Sequence, residues 1–518
     1  MALHLPVMTS ETVSSRPPPS SLRSRLEEIR SRLLAMDESA CAAVFRLAGS
    51  DRPLKTTISL CATCLAHVPA VVFERGGRVL MRKDCPEHGP AEALVEGDVK
   101  FYRLSNKDRW GRRFATDACG VEDIPEFGGG CCGAGGCGDG SADDRERGQD
   151  WGLGDSFSPQ MSNKSCTVLV EVTNACNLAC PVCYSDAKGD RKMPLELFKR
   201  YMLRLVEAKG GLDSVQLTGG EATLHPEFWE MMRFLHGLEG VSRIYLPTNG
   251  LVLADAERSR RLAEFADKLM VLLQFDSGDP TANRALRAAD PRKARDRVLG
   301  HLSDLGVCMQ LTMTVTRGVN DRDVGWVVDA AMDHAHVKLV AIQPVTYSGR
   351  YDLPQDPVQR LTLSDVVKAV VAQARKRVRT GDFIPIPCSH PNCGWLTLFA
   401  RRFGLTVNVV RHVDLPRAMN EAAYKTVLST GEFRRLIGGG EWSLGSVARS
   451  VGRRLVRARD MLGIAVKPFM DRYNYDQDRV SACCHHLLDT QGRPVSFCEY
   501  NARLRPGDSW EHFPKLSG

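Results

Sequence analysis

The sequence contains no uninterrupted apolar run that approaches the roughly 20 residues of a membrane-spanning helix, which excludes a transmembrane helix. Its first 21 residues, MALHLPVMTSETVSSRPPPSS, lack the continuous apolar core of a secretory signal peptide, so we expect no export. The formal net charge of +7 is small for 518 residues and gives no reason to expect nucleic-acid binding. These absences predict a cytoplasmic protein that acts on something other than nucleic acid.

Cysteine, in contrast, is abundant, with 18 residues in the chain. Thiols of a chain that is not exported stay reduced, so these cysteines do not predict a disulfide framework. Most of them occur in clusters with short spacings, and such spacing is typical of metal ligands. The sequence therefore predicts several metal-binding sites.

Composition and periodicity divide the chain into six predicted segments. Five apolar residues of the second segment, Leu22, Leu26, Ile29, Leu33 and Leu34, fall on one face of a predicted helix. The segments are a disordered N-terminus (1–21), a helical segment (22–54), a small domain with a CxxC and a CxxH pair (55–105), a Gly- and Cys-rich linker (106–165), a barrel (166–380) and a C-terminal cap (381–518).

The predicted barrel rests on a regular alternation of two patterns. Helix-period stretches separate six apolar, β-branched runs, and this alternation is typical of βαβ units around a parallel sheet. Six units are too few to close an eight-stranded barrel, so we predict an α/β fold with an open, partial (β/α)6 barrel whose functional residues lie at the carboxyl ends of the strands. The runs are TVLVEVT (167–173), SVQLTGG (214–220), RIYLPTNG (243–250), LMVLLQFD (269–276), MQLTMTVT (309–316) and VKLVAIQPV (337–345).

Three cysteines follow the first run in the pattern CxxxCxxC: Cys176, Cys180 and Cys183. A closed zinc or iron–sulfur site normally takes four protein ligands, so three thiolates leave one metal position open for a reacting group. The second run ends in a GGE motif (219–221) and the third in PTNG (247–250). All of these motifs therefore fall on the same predicted rim.

This combination resembles the radical S-adenosylmethionine (SAM) superfamily. The resemblance implies that the three cysteines hold a [4Fe–4S] cluster whose fourth iron is chelated by the amino and carboxylate groups of SAM. Cleavage of SAM there would give a 5′-deoxyadenosyl radical that abstracts hydrogen from an unactivated C–H bond. A structural zinc site is the alternative for the triplet. The resemblance also implies cofactor contacts by six residues, namely Gly219, Gly220 and Glu221 at the SAM ammonium, Thr248 and Asn249 at the ribose, and Tyr184 at the adenine.

Two of these contacts have ordinary structural alternatives, because TNG also forms a simple turn and Tyr184 also suits plain packing.

The small domain carries a second constellation, CxxC followed by CxxH across a hairpin-like insert. Its ligands would be Cys61, Cys64, Cys85 and His88, a set that suits one tetrahedral zinc or iron ion. Unbound cysteines in a hairpin are the alternative.

Five further cysteines follow the predicted barrel, in PCSHPNCGW, SACCHHLLD and SFCEYN. We predict an auxiliary [4Fe–4S] cluster in the cap, which we expect to close the rim where SAM lies; buried structural cysteines are the alternative. Of the adjacent pair Cys483 and Cys484 only one can readily point into a shared site, since neighbouring side chains diverge. The predicted ligands are Cys388, Cys393, Cys484 and Cys498.

A narrower resemblance is carried by CPEHG, EVTNACNLACPVCY, PCSHPNC, PFMDRYNYD and CCHH…FCEYN. These motifs are similar to those of the archaeal tetraether lipid synthase and its bacterial relatives, a group that also includes radical pterin methyltransferases. The group's upstream cysteine motif is altered here, so whether Cys131, Cys132, Cys137 and Cys166 bind a cluster or belong to a Gly-rich loop stays open.

Three functions follow from these patterns. The first is carbon–carbon bond formation on lipid alkyl chains, the second is radical C-methylation of a pterin-like molecule, and the third is a non-catalytic metal or redox scaffold. Either enzyme would need an electron donor such as flavodoxin or ferredoxin. A basic amphipathic helix predicted at 446–466 would suit contact with a membrane surface. The sequence does not allow us to assign a catalytic residue.

Overall fold

The computed structural model describes residues 19–105, 107–114, 165–402, 405–412 and 460–516 of the chain. The predicted disordered segment as far as residue 18, the linker cysteines Cys131, Cys132 and Cys137, and most of the predicted basic helix lie outside the described residues. Among the described residues, no helix combines the length and the apolar character that a membrane span needs.

The described chain begins with two helices, α1 (Pro19–Ala35) and α2 (Glu38–Val44). Helix α1 starts inside the segment that was expected to be disordered, because proline is well tolerated in the first turn, where no N–H is needed. Four of the five predicted apolar residues are buried, whereas Leu34 is 40% exposed and lies off the buried face.

An antiparallel sheet follows, built from β1 (Arg52–Leu60), β2 (His67–Arg75), β3 (Arg78–Cys85) and β4 (Gly89–Glu96) in that order. The turn between β2 and β3 consists of Gly76 and Gly77, both with positive φ, as a tight hairpin turn requires. One face of this sheet packs against α1 through Ile58, Val71 and Phe73.

A larger sheet contains the six predicted runs, and each run forms a strand. Seven helices accompany these strands: α3 (Leu195–Lys209), α4 (Phe228–Gly237), α5 (Ala256–Leu262), α6 (Pro280–Arg287), α7 (Arg292–Asp304), α8 (Val324–Asp333) and α9 (Leu363–Gln373). The strands of this part of the chain are β5 (Thr167–Glu171), β6 (Val182–Cys183), β7 (Leu212–Thr218), β8 (Val241–Thr248), β9 (Leu269–Gln274), β10 (Cys308–Val315), β11 (Val337–Pro344) and β12 (Arg350–Tyr351).

The C-terminal cap adds strands to both ends of this sheet. They are β13 (Ile384–Pro385), β14 (Trp395–Arg402), β15 (Leu405–Asn408), β16 (Met461–Val466), β17 (His485–Leu488) and β18 (Pro494–Ser496), with the short helices α10 (Gln477–Ser481) and α11 (Phe497–Glu499). Strand β16 runs parallel to β11 and strand β17 parallel to β5, so eight parallel strands stand side by side. The paired sheet ends in antiparallel strands at both edges, which confirms the open barrel and extends it by two strands.

Strand β16 corrects only the end of the helix predicted at 446–466, where the sequence MLGIAV (461–466) pairs on both sides, with β11 and with β14. Gly463 lets it fit there, since a Cβ at this position would stand 2.8 Å from the Leu339 Cδ1 atom. The apolar repeat read as helical thus continues into an uncharged strand at its C-terminal end.

A fully buried charge cluster joins the small antiparallel sheet to the cap. The Lys55 ammonium on β1 lies 2.9 Å from Asp476 and 3.0 Å from Asp478 of the cap, and it also pairs with Asp108. Although burial acts to lower it, the three carboxylates hold the pKa of Lys55 well above its usual value, so the lysine is charged. This single cation balances carboxylates from two distant parts of the chain.

We predict that Lys55→Met costs about 3–5 kcal/mol in the free energy of unfolding, because it leaves buried carboxylates without a counter-charge. Urea titration of the full-length chain measures the change. Lys368→Met is the matched control, since Lys368 pairs with Asp98 while its side chain is 51% exposed, and it should cost less than about 1 kcal/mol. Equal losses for the two variants would contradict the role given to the buried cluster.

Candidate functional site

The cysteine triplet lies in the loop that leaves the carboxyl end of β5. All three thiols are half-buried, and Cys183 ends the short strand β6, which pairs with β12. Burial raises the pKa of the Cys176 thiol to about 11, and the neighbouring Glu221 carboxylate adds to the shift. A metal centre would reverse this effect, because thiolates are its preferred ligands.

The GGE turn after β7 is joined to the cysteine loop by two backbone hydrogen bonds. The Gly220 N–H donates to the Thr173 carbonyl and the Glu221 N–H to the Ala175 carbonyl, both at 2.8 Å. A Cβ at Gly219, whose φ is +143°, would stand 2.2 Å from the Thr173 oxygen, and one at Gly220 2.0 Å from the Ala175 oxygen. Both positions therefore require glycine, and the close approach they permit is to the chain's own cysteine loop.

The Glu221 carboxylate points into the same region and is only 2% exposed. It accepts hydrogen bonds from the Thr223 hydroxyl (2.6 Å), the Thr248 hydroxyl (3.0 Å) and the Asn249 backbone N–H (2.9 Å). Burial raises the pKa of Glu221 against the effect of these donors. Within the described residues no cation pairs with this carboxylate, so its charge is stabilised by neutral groups alone.

The two residues expected at the ribose are thus partly used to hold Glu221. Thr248 is buried and donates its hydroxyl proton to the carboxylate. The Asn249 side-chain amide donates to the Asn177 side chain at 2.7 Å, directly beside Cys176. The structure therefore connects the ends of β5, β7 and β8 in one hydrogen-bonded unit.

Tyr184, the expected adenine contact, packs its ring edge-on against Phe497 of the cap, with the ring centroids 5.1 Å apart. Its side chain is 36% exposed. The contact with adenine stays a prediction, and the contact with Phe497 ties the cysteine loop to the cap.

Arg287 is a residue of this region that the sequence did not single out. It is buried at the end of α6, and its guanidinium forms a two-pronged pair with Asp276, with N–O distances of 2.8 and 2.9 Å. It also donates to the Thr314 hydroxyl at 3.0 Å, and it interacts electrostatically with the Cys180 thiol. The sequence signal that could have pointed to this pair is Asp276, two residues after the end of β9, since charged residues at strand ends of such a barrel serve the site.

The four ligands predicted for the small domain come together at one end of its sheet. The side-chain donor atoms of Cys61, Cys64, Cys85 and His88 all lie within 4.8 Å of one another. The Cys64 and Cys85 sulfurs are 3.9 Å apart, and the Cys85 sulfur is 3.5 Å from the His88 Nδ1 atom. Three sulfurs and one nitrogen at this spacing suit a single tetrahedral ion.

A second compact group consists of Cys166, Cys388 and Cys484, all buried, with sulfur atoms within 4.8 Å of one another. Cys166 directly precedes β5 and Cys484 directly precedes β17, so both lie at the amino ends of these parallel strands. The triplet lies at the opposite, carboxyl end of β5. This group therefore does not close the SAM rim as the cap was expected to do.

The other two predicted cap ligands, Cys393 and Cys498, lie apart from that compact group. They interact electrostatically with each other and with Cys483. The Arg479 guanidinium reaches the Cys393 sulfur at 3.5 Å, and the Met470 N–H donates to the Cys498 sulfur at 3.3 Å. The structure thus divides the four predicted ligands between two groups and brings in Cys166, whose role had stayed open.

Comparison with known proteins identifies the class. Residues 170–331 match the radical SAM superfamily, and residues 53–97 match the HMPTM N-terminal zinc ribbon domain. The first range contains the cysteine triplet and the GGE turn, and the second contains all four clustered ligands of the small sheet. The chain therefore contains a radical SAM domain and an N-terminal zinc ribbon domain, and it is a radical SAM enzyme.

Three similar proteins illustrate how far the resemblance extends. The 7,8-dihydro-6-hydroxymethylpterin dimethyltransferase of Methanocaldococcus jannaschii is 25% identical over 531 aligned residues, which cover 90% of this chain and 98% of that protein. The GTP 3′,8-cyclase of Chlorobaculum tepidum is 28% identical over 182 residues, 34% of this chain and 53% of its own. Streptococcus suis SuiB bound to SAM is 14% identical, with a TM-score of 0.35 over 40% of this chain and 46% of that one.

The class also fixes the kinds of cofactor. A radical SAM enzyme uses a [4Fe–4S] cluster and SAM, acts on a small molecule and needs an electron donor. The donor atoms in the ribbon fit a mononuclear zinc or iron ion, and the further cysteine groups fit an auxiliary cluster.

We predict that Cys85→Ser removes one metal ion per chain, because serine cannot replace a thiolate ligand of a soft metal. Metal analysis of the full-length protein, alongside its labile sulfide content, measures the loss. Sulfide should stay unchanged, since the ribbon ion carries none. Cys308→Ser is the control, as Cys308 is half-buried on β10 and belongs to neither compact group. Full metal content in Cys85→Ser would refute the ribbon site.

We also predict that Arg287→Met makes the midpoint potential of the radical SAM cluster more negative. A buried guanidinium beside a ligand sulfur stabilises the more negatively charged, reduced form, and methionine removes that effect. Potentiometric titration followed by electron paramagnetic resonance, without SAM, measures the shift. Arg284→Met is the control on the exposed face of the same helix. If the two variants share one potential, Arg287 serves only to hold Asp276.

Proposed function

We propose that this enzyme is a radical methyltransferase that adds methyl groups to carbon atoms of a pterin-like small molecule. The observation that carries the proposal is the end-to-end match to the pterin dimethyltransferase, which spans 98% of that protein. The match extends from the ribbon through the barrel into the cap. The cyclases match over about half of their length, so their reaction is a weaker guide.

The residues around the triplet suit the binding of SAM. Cys176, Cys180 and Cys183 would hold the cluster, and Glu221 would receive the SAM ammonium, which supplies the cation that this buried carboxylate lacks in the described part of the chain. Thr248 would keep Glu221 in place through its hydrogen bond. When bound, the cluster and SAM supply the radical chemistry of the superfamily.

The remaining predicted contacts keep their proposed roles. The backbone of Gly219 and Gly220 would lie near the SAM ammonium, Asn249 would contact the ribose, and Tyr184 would contact the adenine. Each of them belongs to the hydrogen-bonded or packed surroundings of the cysteine loop.

For the auxiliary cluster we favour Cys166, Cys388 and Cys484 as ligands, because their sulfurs already converge. The Cys388 thiol lies in the positive potential of Lys467 and Lys107, although its neighbouring thiols contribute most to the lowering of its pKa. Cationic side chains beside a thiolate group favour its charged, metal-binding form.

The lipid substrate receives no support from the comparisons. The scaffold alternative is set aside because the chain is a radical SAM enzyme. The match to the pterin dimethyltransferase therefore favours a pterin-like substrate.

The proposal is tested with anaerobically reconstituted protein, a reductant, SAM labelled in its methyl group and 7,8-dihydro-6-hydroxymethylpterin. We expect pterin products heavier by one or two labelled methyl groups, detected by mass spectrometry. A protein that cleaves SAM but leaves this pterin unmodified would contradict the proposed substrate while preserving the enzyme class.

We predict that Glu221→Gln weakens SAM binding on the order of ten- to a hundred-fold, the usual loss of one charge-assisted hydrogen bond. Equilibrium binding of SAM to the reconstituted protein measures it. Glu230→Gln is the control, because Glu230 pairs with Arg233 on the exposed side of α4. Unchanged affinity in Glu221→Gln would remove Glu221 from the SAM site.

A further inference from the structure

Four glutamines stand on the inner face of the barrel, one on each of four strands. Alternation along a strand separates its two faces. The neighbours of these glutamines, such as Leu217, Leu273 and Leu311, belong to the core between the sheet and its helices. The glutamines therefore face inward; they are Gln216 on β7, Gln274 on β9, Gln310 on β10 and Gln343 on β11.

The Asp276 carboxylate sets the orientation of the Gln274 side-chain amide, because it can accept a hydrogen bond but cannot donate one. Its amide nitrogen donates to the Asp276 Oδ1 atom at 2.7 Å. Although burial opposes it, Arg287 keeps the pKa of Asp276 below its usual value, so this carboxylate is ionised and only accepts hydrogen bonds. The amide oxygen of Gln274 must therefore point away from Asp276 and is available as an acceptor.

The side-chain amides of the other three glutamines also have hydrogen-bonding groups without a partner among the described residues. The Gln310 nitrogen donates to the Thr312 hydroxyl at 2.9 Å, which leaves its oxygen without a partner among the described residues. Gln216 and Gln343 make no side-chain hydrogen bond to the part of the chain that the structure describes. Gln216 and Gln310 are only 7% exposed, yet their amide atoms are not among the fully buried polar atoms that lack a partner. These amides therefore open onto the space inside the barrel, where a ligand can form hydrogen bonds with them.

Flat or apolar side chains stand beside these amides on the same face. Tyr245 lies opposite Gln216 on the neighbouring strand, and Leu272 and Leu339 flank Gln310 on either side. An inner face that alternates amides with apolar groups suits a planar ring with polar edges. A long alkyl chain would leave the amides unpaired.

Two side chains, Asp276 and Arg287, connect the four inward-facing glutamines to the cysteine triplet. Asp276 accepts hydrogen bonds from Gln274 and from Arg287, and Arg287 interacts electrostatically with the Cys180 thiol. A ring held by Gln274 and its neighbours would thus lie next to the place where SAM is cleaved.

From this arrangement we infer that Gln216, Gln274, Gln310 and Gln343 are specificity-determining residues that bind the amino- and lactam-bearing edge of the pterin ring, an inference that rests on the proposed function. The 2-amino group and the ring N–H are donors, and they match the free amide oxygens. The 4-oxo group is an acceptor, and it matches an amide N–H₂.

The test compares two ligands on the reconstituted holoenzyme by equilibrium dialysis, 7,8-dihydro-6-hydroxymethylpterin and its analogue without the 2-amino group. Gln310→Met and Gln343→Met keep the length and volume of the side chain but remove the amide. Gln491→Met is the control in an exposed turn. Iron content and melting temperature verify that each variant is folded, and using two variants keeps the test valid if one misfolds.

We expect the wild type and Gln491→Met to bind the pterin roughly ten-fold or more tightly than the analogue. Gln310→Met and Gln343→Met should bind the pterin about ten-fold more weakly than the wild type and should prefer it less. If the wild type binds the pterin and both variants bind it equally well, the inference falls and the proposed function stands. If the wild type binds no pterin, the proposed function and the inference fall together.

Discussion

Two backbone hydrogen bonds between the cysteine loop and the GGE turn are the constraint on which the site depends. They are possible only because Gly219 and Gly220 lack side chains, since a Cβ at either position would lie about 2 Å from a carbonyl oxygen. The bonds bring Glu221 beside the loop that carries Cys176, and Thr248 then fixes its carboxylate. Three strand ends become one rigid rim, as a site for bound radical chemistry requires.

Inside the barrel, too, a single buried group serves several partners. Asp276 receives hydrogen bonds from Gln274 and Arg287 at once, so the side chains that would face substrate and cluster share one buried anion. In the small antiparallel sheet, Lys55 forms ion pairs with carboxylates of the cap and of the segment after the ribbon. The buried Lys55 thus connects the ribbon to the cap through carboxylates distant in sequence, whereas the buried pair of Asp276 and Arg287 lies within the barrel rim.

Much of this arrangement could be predicted from the sequence, because the six β-branched runs and the motifs after them are local patterns. The ribbon ligands were equally readable, since CxxC and CxxH have fixed spacings. The grouping of Cys166 with Cys388 and Cys484 was not readable, because it depends on β17 pairing with β5, a long-range contact. Strand β16 was missed for the same reason, as its partners on both sides outweigh a helical apolar repeat.

The proposed function requires that SAM binds an iron of the cluster that Cys176, Cys180 and Cys183 would hold. Electron–nuclear double resonance on the reduced protein, with SAM labelled with ¹⁵N in its amino group and ¹⁷O in its carboxylate, tests this most directly. We expect hyperfine coupling from both labels in the wild type and its loss in the variant with all three cysteines replaced by alanine. A reduced cluster that shows neither coupling in the wild type would contradict the claim.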